Sequence, residues 1–178
     1  MKSETFRIVI TGAESTGKTT LARALAAHYR EPWTQEFVRS YAEQLGRALQ
    51  PADLEPIARG QLAAEDAKLA QAQRLILHDT NLLSSIIYAR HYFDATLDWV
   101  NEQFKKRTYS LYLLCMPDIP WQADQGQRES PQARAHLHTI FKTQLASLKL
   151  PHIEIHGARE ERLEQAIQTI DAWMNVER

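Results

Sequence analysis

The chain has 178 residues, 44% hydrophobic and 24% charged, with 21 basic against 22 acidic side chains and a net charge of −1. That length suits one domain with a substantial core. The charge balance exerts no general pull on nucleic acid or an anionic membrane, so any phosphate binding has to come from a local site. Cys115 is the one cysteine, which excludes an internal disulfide and a cysteine-rich metal centre. No run approaches the ~18 apolar residues of a membrane span. Ile8-Val9-Ile10 is too short for a signal peptide and leads straight into a glycine motif. The expectation is a cytoplasmic chain with a small-molecule partner, no nucleic acid and no membrane.

Short apolar runs alternate with longer helical stretches, which predicts a parallel α/β sheet. Phe6 to Ile10 reads as a buried strand. Thr19 to Tyr29 reads as a helix, with Leu21, Leu25 and Ala26 at helical spacing. Trp33 to Val38 reads as a short second strand, and Pro51 to Arg74 as a long helix with Pro51 and Pro56 near its start. A third strand, Leu75 to Leu77, ends at His78-Asp79-Thr80. Leu82 to Tyr92 and Leu97 to Lys106 read as helices, and Tyr109 to Cys115 as a fourth strand stopped by Pro117. The polar segment Asp118 to Glu129 has the length of a loop over a site. Ser130 then caps a helix with Pro131 in its first position, running to about Lys149. His152 to Ile155 is a fifth strand and Arg159 to Met174 a closing helix. The expected fold is a three-layer α/β sandwich around a five-stranded parallel sheet, as one domain over residues 1–178. Strand order stays open.

Gly12-Ala13-Glu14-Ser15-Thr16-Gly17-Lys18-Thr19 fits G-x-x-x-x-G-K-[ST] between a strand and a helix. Gly12 and Gly17 permit backbone angles that a side chain forbids. Successive N–H groups then turn toward an anion, and the helix N-terminus adds its positive end. In such a loop Lys18 sits between the β- and γ-phosphates, the Thr19 hydroxyl can ligate Mg²⁺, and Thr20 can reach the α-phosphate. The motif signals triphosphate binding and leaves the reaction open.

A carboxylate that organises the metal belongs at the end of a neighbouring strand. Asp79 directly follows the third strand and is preferred, with a helix cap as its alternative role. Asp118 lies beyond Pro117 and opens the loop. Glu36 could accept or hold the proton of an attacking hydroxyl, with Arg39 beside it, or the two could form a surface ion pair. Arg128 could neutralise charge on a transferring phosphoryl group or be a solvated loop residue. Trp33 and Trp121 read as structural before they read as base-stacking.

Four segments together resemble the ribosylnicotinamide kinase domain of the NadR family. They are the Gly12–Thr19 loop with its Glu14-Ser15, Gln35-Glu36-Phe37-Val38-Arg39, His78-Asp79-Thr80-Asn81, and Trp121-Gln122-Ala123-Asp124-Gln125-Gly126-Gln127-Arg128. Order and spacing hold across essentially the whole chain. The resemblance implies a P-loop fold of the nucleoside-monophosphate-kinase type with a lid at about 118–130. It implies ATP and Mg²⁺, and transfer of the γ-phosphate to the 5′-hydroxyl of nicotinamide riboside to give nicotinamide mononucleotide. It raises Glu36, Arg39, Asp79, Asp124 and Arg128 to site residues. The family's bifunctional members carry an adenylyltransferase domain before the kinase. Here the motif begins at residue 12, so the kinase step alone is expected. Alternatives are a kinase of another nucleoside or metabolite, a RecA-like ATPase, whose loop also carries Glu-Ser, and a nucleotide switch. Base preference and a homo-oligomer stay open.

Overall fold

The computed structural model describes residues 5–121 and 130–176. Strand β1 (Phe6–Thr11) leads through the glycine loop into helix α1 (Lys18–Tyr29). β2 is only Trp33–Thr34, and helix α2 (Phe37–Leu45) follows it at once. A 3₁₀ turn at Pro51–Asp53 opens α3 (Leu54–Leu69), which is followed by β3 (Leu75–Asp79). Then come α4 (Leu82–Phe93), α5 (Asp98–Lys105), β4 (Leu111–Cys115), α6 (Pro131–Ser147), β5 (His152–Ile155) and α7 (Arg159–Val176).

All five strands are parallel, in the order β2-β3-β1-β4-β5. Parallel strands need helical crossovers, and the helices cover both faces. On one face α1 and α7 bury Leu21, Leu25, Ala166 and Ile170 against Ile8, Ile10, Leu77 and Leu113. On the other, Val9, Tyr112 and Leu114 pack against Leu83, Ile87, Leu137 and Phe141 of α4 and α6. Each fully buried side chain of this size contributes about 1.5–3 kcal/mol over its exposed state. The three-layer sandwich is as expected.

Two expected elements differ. The helix expected over 51–74 opens with a 3₁₀ turn and ends at Leu69. The strand expected over 33–38 stops at Thr34, and Phe37–Leu45 is helical. β2 is an edge strand paired on one side only, through Trp33 with Leu77 and Thr34 with His78. Short edges are normal in natural sheets. The residues after Phe37 are mostly good helix formers, so the apolar trio Phe37-Val38 and Tyr41 is the inner stripe of a helix. Phe37 is seated over Gly60 of α3, where an added Cβ would lie 2.1 Å from the ring. Ser130 caps α6 as expected, its hydroxyl accepting from the Ala133 N–H at 3.2 Å. No helix among the described residues is long and apolar enough to cross a membrane.

A polar cluster lies between the sheet and α3. Glu65 of α3 is fully buried and accepts from Arg7 (3.1 Å), Tyr109 (2.8 Å) and Gln61 (3.4 Å), with Arg107 3.8 Å away. Loss of water raises its pKa, and the two guanidiniums and the hydrogen bonds oppose that rise. Beside it, burial pushes the imidazole of His78 down to about 3, so the ring is neutral and shares a 2.9 Å hydrogen bond with Thr34. Removing one partner of such a buried pair strands the other. Glu65→Ala is therefore expected to lower unfolding free energy by about 3–5 kcal/mol in urea titrations. A loss under ~1 kcal/mol would show that Arg7 and Arg107 rehydrate freely.

Candidate active site

The site lies at the carboxyl ends of β1 and β3. Ile10 pairs with Asp79 in the β1–β3 register, so the glycine loop starts level with the carboxylate that ends β3. The chain passes close beside β4 at Gly12, where a Cβ would meet the Cys115 carbonyl oxygen at 2.9 Å with φ at 133°. Only glycine meets both conditions. Ser15 and Gly17 also take positive φ, 54° and 81°, and Gly17 is the N-cap of α1. The loop thus curls around the positive end of a 12-residue helix.

Inside the curl, Thr16 Oγ1 and Lys18 Nζ both donate to the Ala13 carbonyl, at 2.8 and 2.7 Å. Lys18 is nearly buried, folded back over the loop. The Thr19 hydroxyl donates to Asp79 Oδ2 at 2.5 Å, while Asp79 Oδ1 is buried and has no hydrogen-bond partner. Burial raises the Asp79 pKa, against the pull of Thr19 and Lys18. Asp79 does not cap α4. Asn81 does, its Oδ1 accepting from the Leu83 N–H at 3.1 Å while its amide donates to Tyr112. Thr80, between them, sits at φ 66°. For a β-branched residue that is a strained conformation, of the kind that clusters at functional sites. Thr20 is exposed on the first turn of α1.

Thr34 pairs with His78, so the chain leaving β2 reaches Glu36 just beyond Asp79. Glu36 is the N-cap position of α2, not a strand residue, and Arg39 follows in the first turn. The Phe37 N–H donates to Gln61 Oε1 at 3.0 Å, which fixes where α2 begins. Loss of water is the main cause that raises the Glu36 pKa. Lys18 and Arg39 lower it, while Asp79 and Glu14 raise it further. The sequence-selected residues Lys18, Glu36, Arg39 and Asp79 therefore share one electrostatic field. Asp124 and Arg128 lie outside the described residues. Trp33 packs against the core, in keeping with its structural reading.

Sequence reasoning missed several contributors. Arg134 of α6 and Arg162 of α7 donate to carbonyls of the glycine loop, and Tyr92 donates to Glu14 at 3.2 Å. Gln61 holds the start of α2. None sits at a spacing that a motif would flag, because each comes from a helix remote in sequence. Asp118 binds Arg162 and accepts from the Gly157 N–H at 2.8 Å, so it braces this end of the sheet. Glu36 also lines a cavity of about 410 Å³ between β2 and α3. A larger cavity of about 660 Å³, at the opposite end of the sheet near Arg7 and Arg107, contains none of these residues.

Known proteins resemble this chain in sequence and in fold. The trifunctional NAD biosynthesis/regulator protein NadR of Salmonella typhimurium is 28% identical over 121 residues, covering 66% of this chain and 30% of that protein. The chain thus spans under a third of this relative's length. A crystal structure of a NadR protein in complex with NR superposes with a TM-score of 0.84 at 23% identity, over 96% of this chain and 52% of that one. Thymidylate kinase from Ehrlichia chaffeensis superposes at 0.66 and 14% identity, over 94% of this chain and all of that one. The fold is that of P-loop kinases. A family described as an AAA domain matches residues 7–162, nearly the whole sandwich and its glycine loop, and the chain belongs to that family.

Proposed function

We propose that this chain transfers the γ-phosphate of ATP to the 5′-hydroxyl of nicotinamide riboside, forming nicotinamide mononucleotide and ADP. The observation that carries the proposal is the convergence of Lys18, Asp79 and the Glu36 carboxyl at the mouth of one glycine loop. A triphosphate grip needs the first of these, and an acceptor hydroxyl needs a carboxylate nearby. The likeness to NadR supports the choice of acceptor.

In the proposed reaction Lys18 and the loop N–H groups hold the β- and γ-phosphates. Glu36 orients the 5′-hydroxyl and takes its proton as the new O–P bond forms and the bond to the ADP oxygen breaks. A carboxylate with a raised pKa suits that task, since it is a stronger base than an ordinary glutamate. Thr19 and Asp79 fit a magnesium ion. They supply a hydroxyl and a carboxylate, hard oxygen donors, and the buried Asp79 Oδ1 lacks any protein partner. Bound there, Mg²⁺ would offset phosphate charge. Arg39 and Asp124 are proposed to contact the riboside. Arg128 is proposed to reach the transferring phosphoryl group from a lid at about 118–130, within a single domain.

The direct test mixes the protein with ATP, Mg²⁺ and a nucleoside panel and follows the phosphorylated products. Nicotinamide mononucleotide is expected to dominate. Preference for another nucleoside would overturn the acceptor, and hydrolysis that ignores every acceptor would overturn the kinase reading.

Glu36→Gln is expected to lower kcat by about 10²–10⁴-fold with ATP affinity retained. The pH profile should follow. Burial holds Glu36 above the ordinary carboxylate range, and it must be ionised to take the proton. Turnover should therefore fall as pH drops through the raised pKa of Glu36, with the acid limb above the range of an ordinary glutamate. The residual activity of Glu36→Gln should show a shallower limb. An unchanged limb would place the titration elsewhere.

A further inference from the structure

The glycine loop is held from behind by two buried arginines. Arg162 of α7 uses all three guanidinium nitrogens on the protein. Nε donates to the Gly157 carbonyl (2.7 Å), Nη1 to the Thr16 carbonyl (2.7 Å), and Nη2 to the Met116 carbonyl (2.8 Å) and to Asp118. Arg134 of α6 directs Nη1 to the Ser15 carbonyl (3.2 Å) and the Ile119 carbonyl (3.1 Å). Both side chains are more than nine-tenths out of solvent.

A trans peptide points its C=O and the next N–H in opposite directions. A carbonyl anchored outward therefore aims the following N–H inward. Arg134 on Ser15 sets the Thr16 N–H, and Arg162 on Thr16 sets the Gly17 N–H. On the near side, Thr16 Oγ1 and Lys18 fix the Ala13 carbonyl, so that peptide is anchored on the opposite side from the two the arginines hold. A cation on a carbonyl also polarises that peptide and strengthens its N–H as a donor. The hydrogen bonds are charge-assisted, which makes them roughly twice as strong as neutral ones. Ser15 stands at φ 54°, a conformation costly without glycine, and the Arg134 bond to its carbonyl opposes relaxation out of it.

We propose that Arg134 and Arg162 are positioning residues for the triphosphate, locking the loop's peptide planes in the anion-binding orientation from behind without touching the ligand. The proposal rests on the reading of the loop as a triphosphate site. It also assigns Asp118 a task, since that carboxylate holds the Arg162 fork in place.

The test is calorimetric titration of inorganic tripolyphosphate, and of ATP with Mg²⁺, into the wild type and into Arg134→Met, Arg162→Met and Arg162→Lys. Each variant is expected to bind tripolyphosphate about tenfold or more weakly, with the KM for the nucleoside unchanged. Arg162→Lys should be as weak as Arg162→Met, because one ammonium cannot span the carbonyls that the fork spans. The Thr16 and Gly17 amide proton resonances should move downfield with tripolyphosphate in the wild type and much less in the variants. Folded variants that bind tripolyphosphate like the wild type overturn the proposal. So does full rescue by Arg162→Lys, which would mark a bare charge. Should Arg162→Met fail to fold, Arg134→Met decides alone, since it removes bonds to only two carbonyls, those of Ser15 in the loop and Ile119 after β4. A wild type that binds no polyphosphate overturns the functional reading and this inference together.

Discussion

The register between β1 and β3 is the constraint on which the site depends. Pairing Ile10 with Asp79 brings the start of the glycine loop level with a carboxylate about 70 residues later in the chain. The Thr19 hydroxyl on Asp79 is the visible result. A slip of one residue would turn Asp79 to the other face of the sheet. It would also move Thr34, paired with His78, and with it the approach of Glu36. The buried faces of both strands forbid that slip, because Leu75 and Leu77 would leave one core and Ile76 and His78 would enter it. Core packing therefore holds the chemistry in place.

The site gathers charge that the protein alone does not neutralise. Asp79 and Glu36 both lose water, and the pKa of each is raised for that reason. Lys18 lies among them, bonded to a carbonyl. Contrast Glu65, where two arginines, a tyrosine and a glutamine satisfy one carboxylate. The first arrangement suits the proposed triphosphate, which would bring its own charge and metal, and the second is already satisfied. Burying charge without full compensation costs stability, and it persists where function requires it.

Much of this was legible in the residues. The Gly12–Thr19 pattern needs specific backbone angles, and those angles leave a specific composition behind, so the loop and its lysine could be read directly. Asp79 was legible because it ends an apolar run, and the crossover pattern predicted a parallel sheet. The boundary between β2 and α2 was not legible. Phe37, Val38 and Tyr41 are apolar enough for either element, and an edge strand paired on one side has little to extend it. Asp79 had a second reading as a cap, which Asn81 excludes by capping α4 itself. Arg134 and Arg162 left no local trace, because their partners in the glycine loop are backbone carbonyls more than 100 residues away. A hydrogen bond to backbone imposes no residue type on its acceptor, so tertiary geometry alone reveals it.

The most direct measurement is a crystal structure with nicotinamide riboside and a non-hydrolysable ATP analogue bound together. The triphosphate is expected on the Gly12–Thr19 loop, with the riboside 5′-hydroxyl within hydrogen-bond reach of Glu36 and in line with the γ-phosphorus. A riboside whose 5′-hydroxyl lies away from Glu36, or a triphosphate held anywhere but the loop, would contradict it.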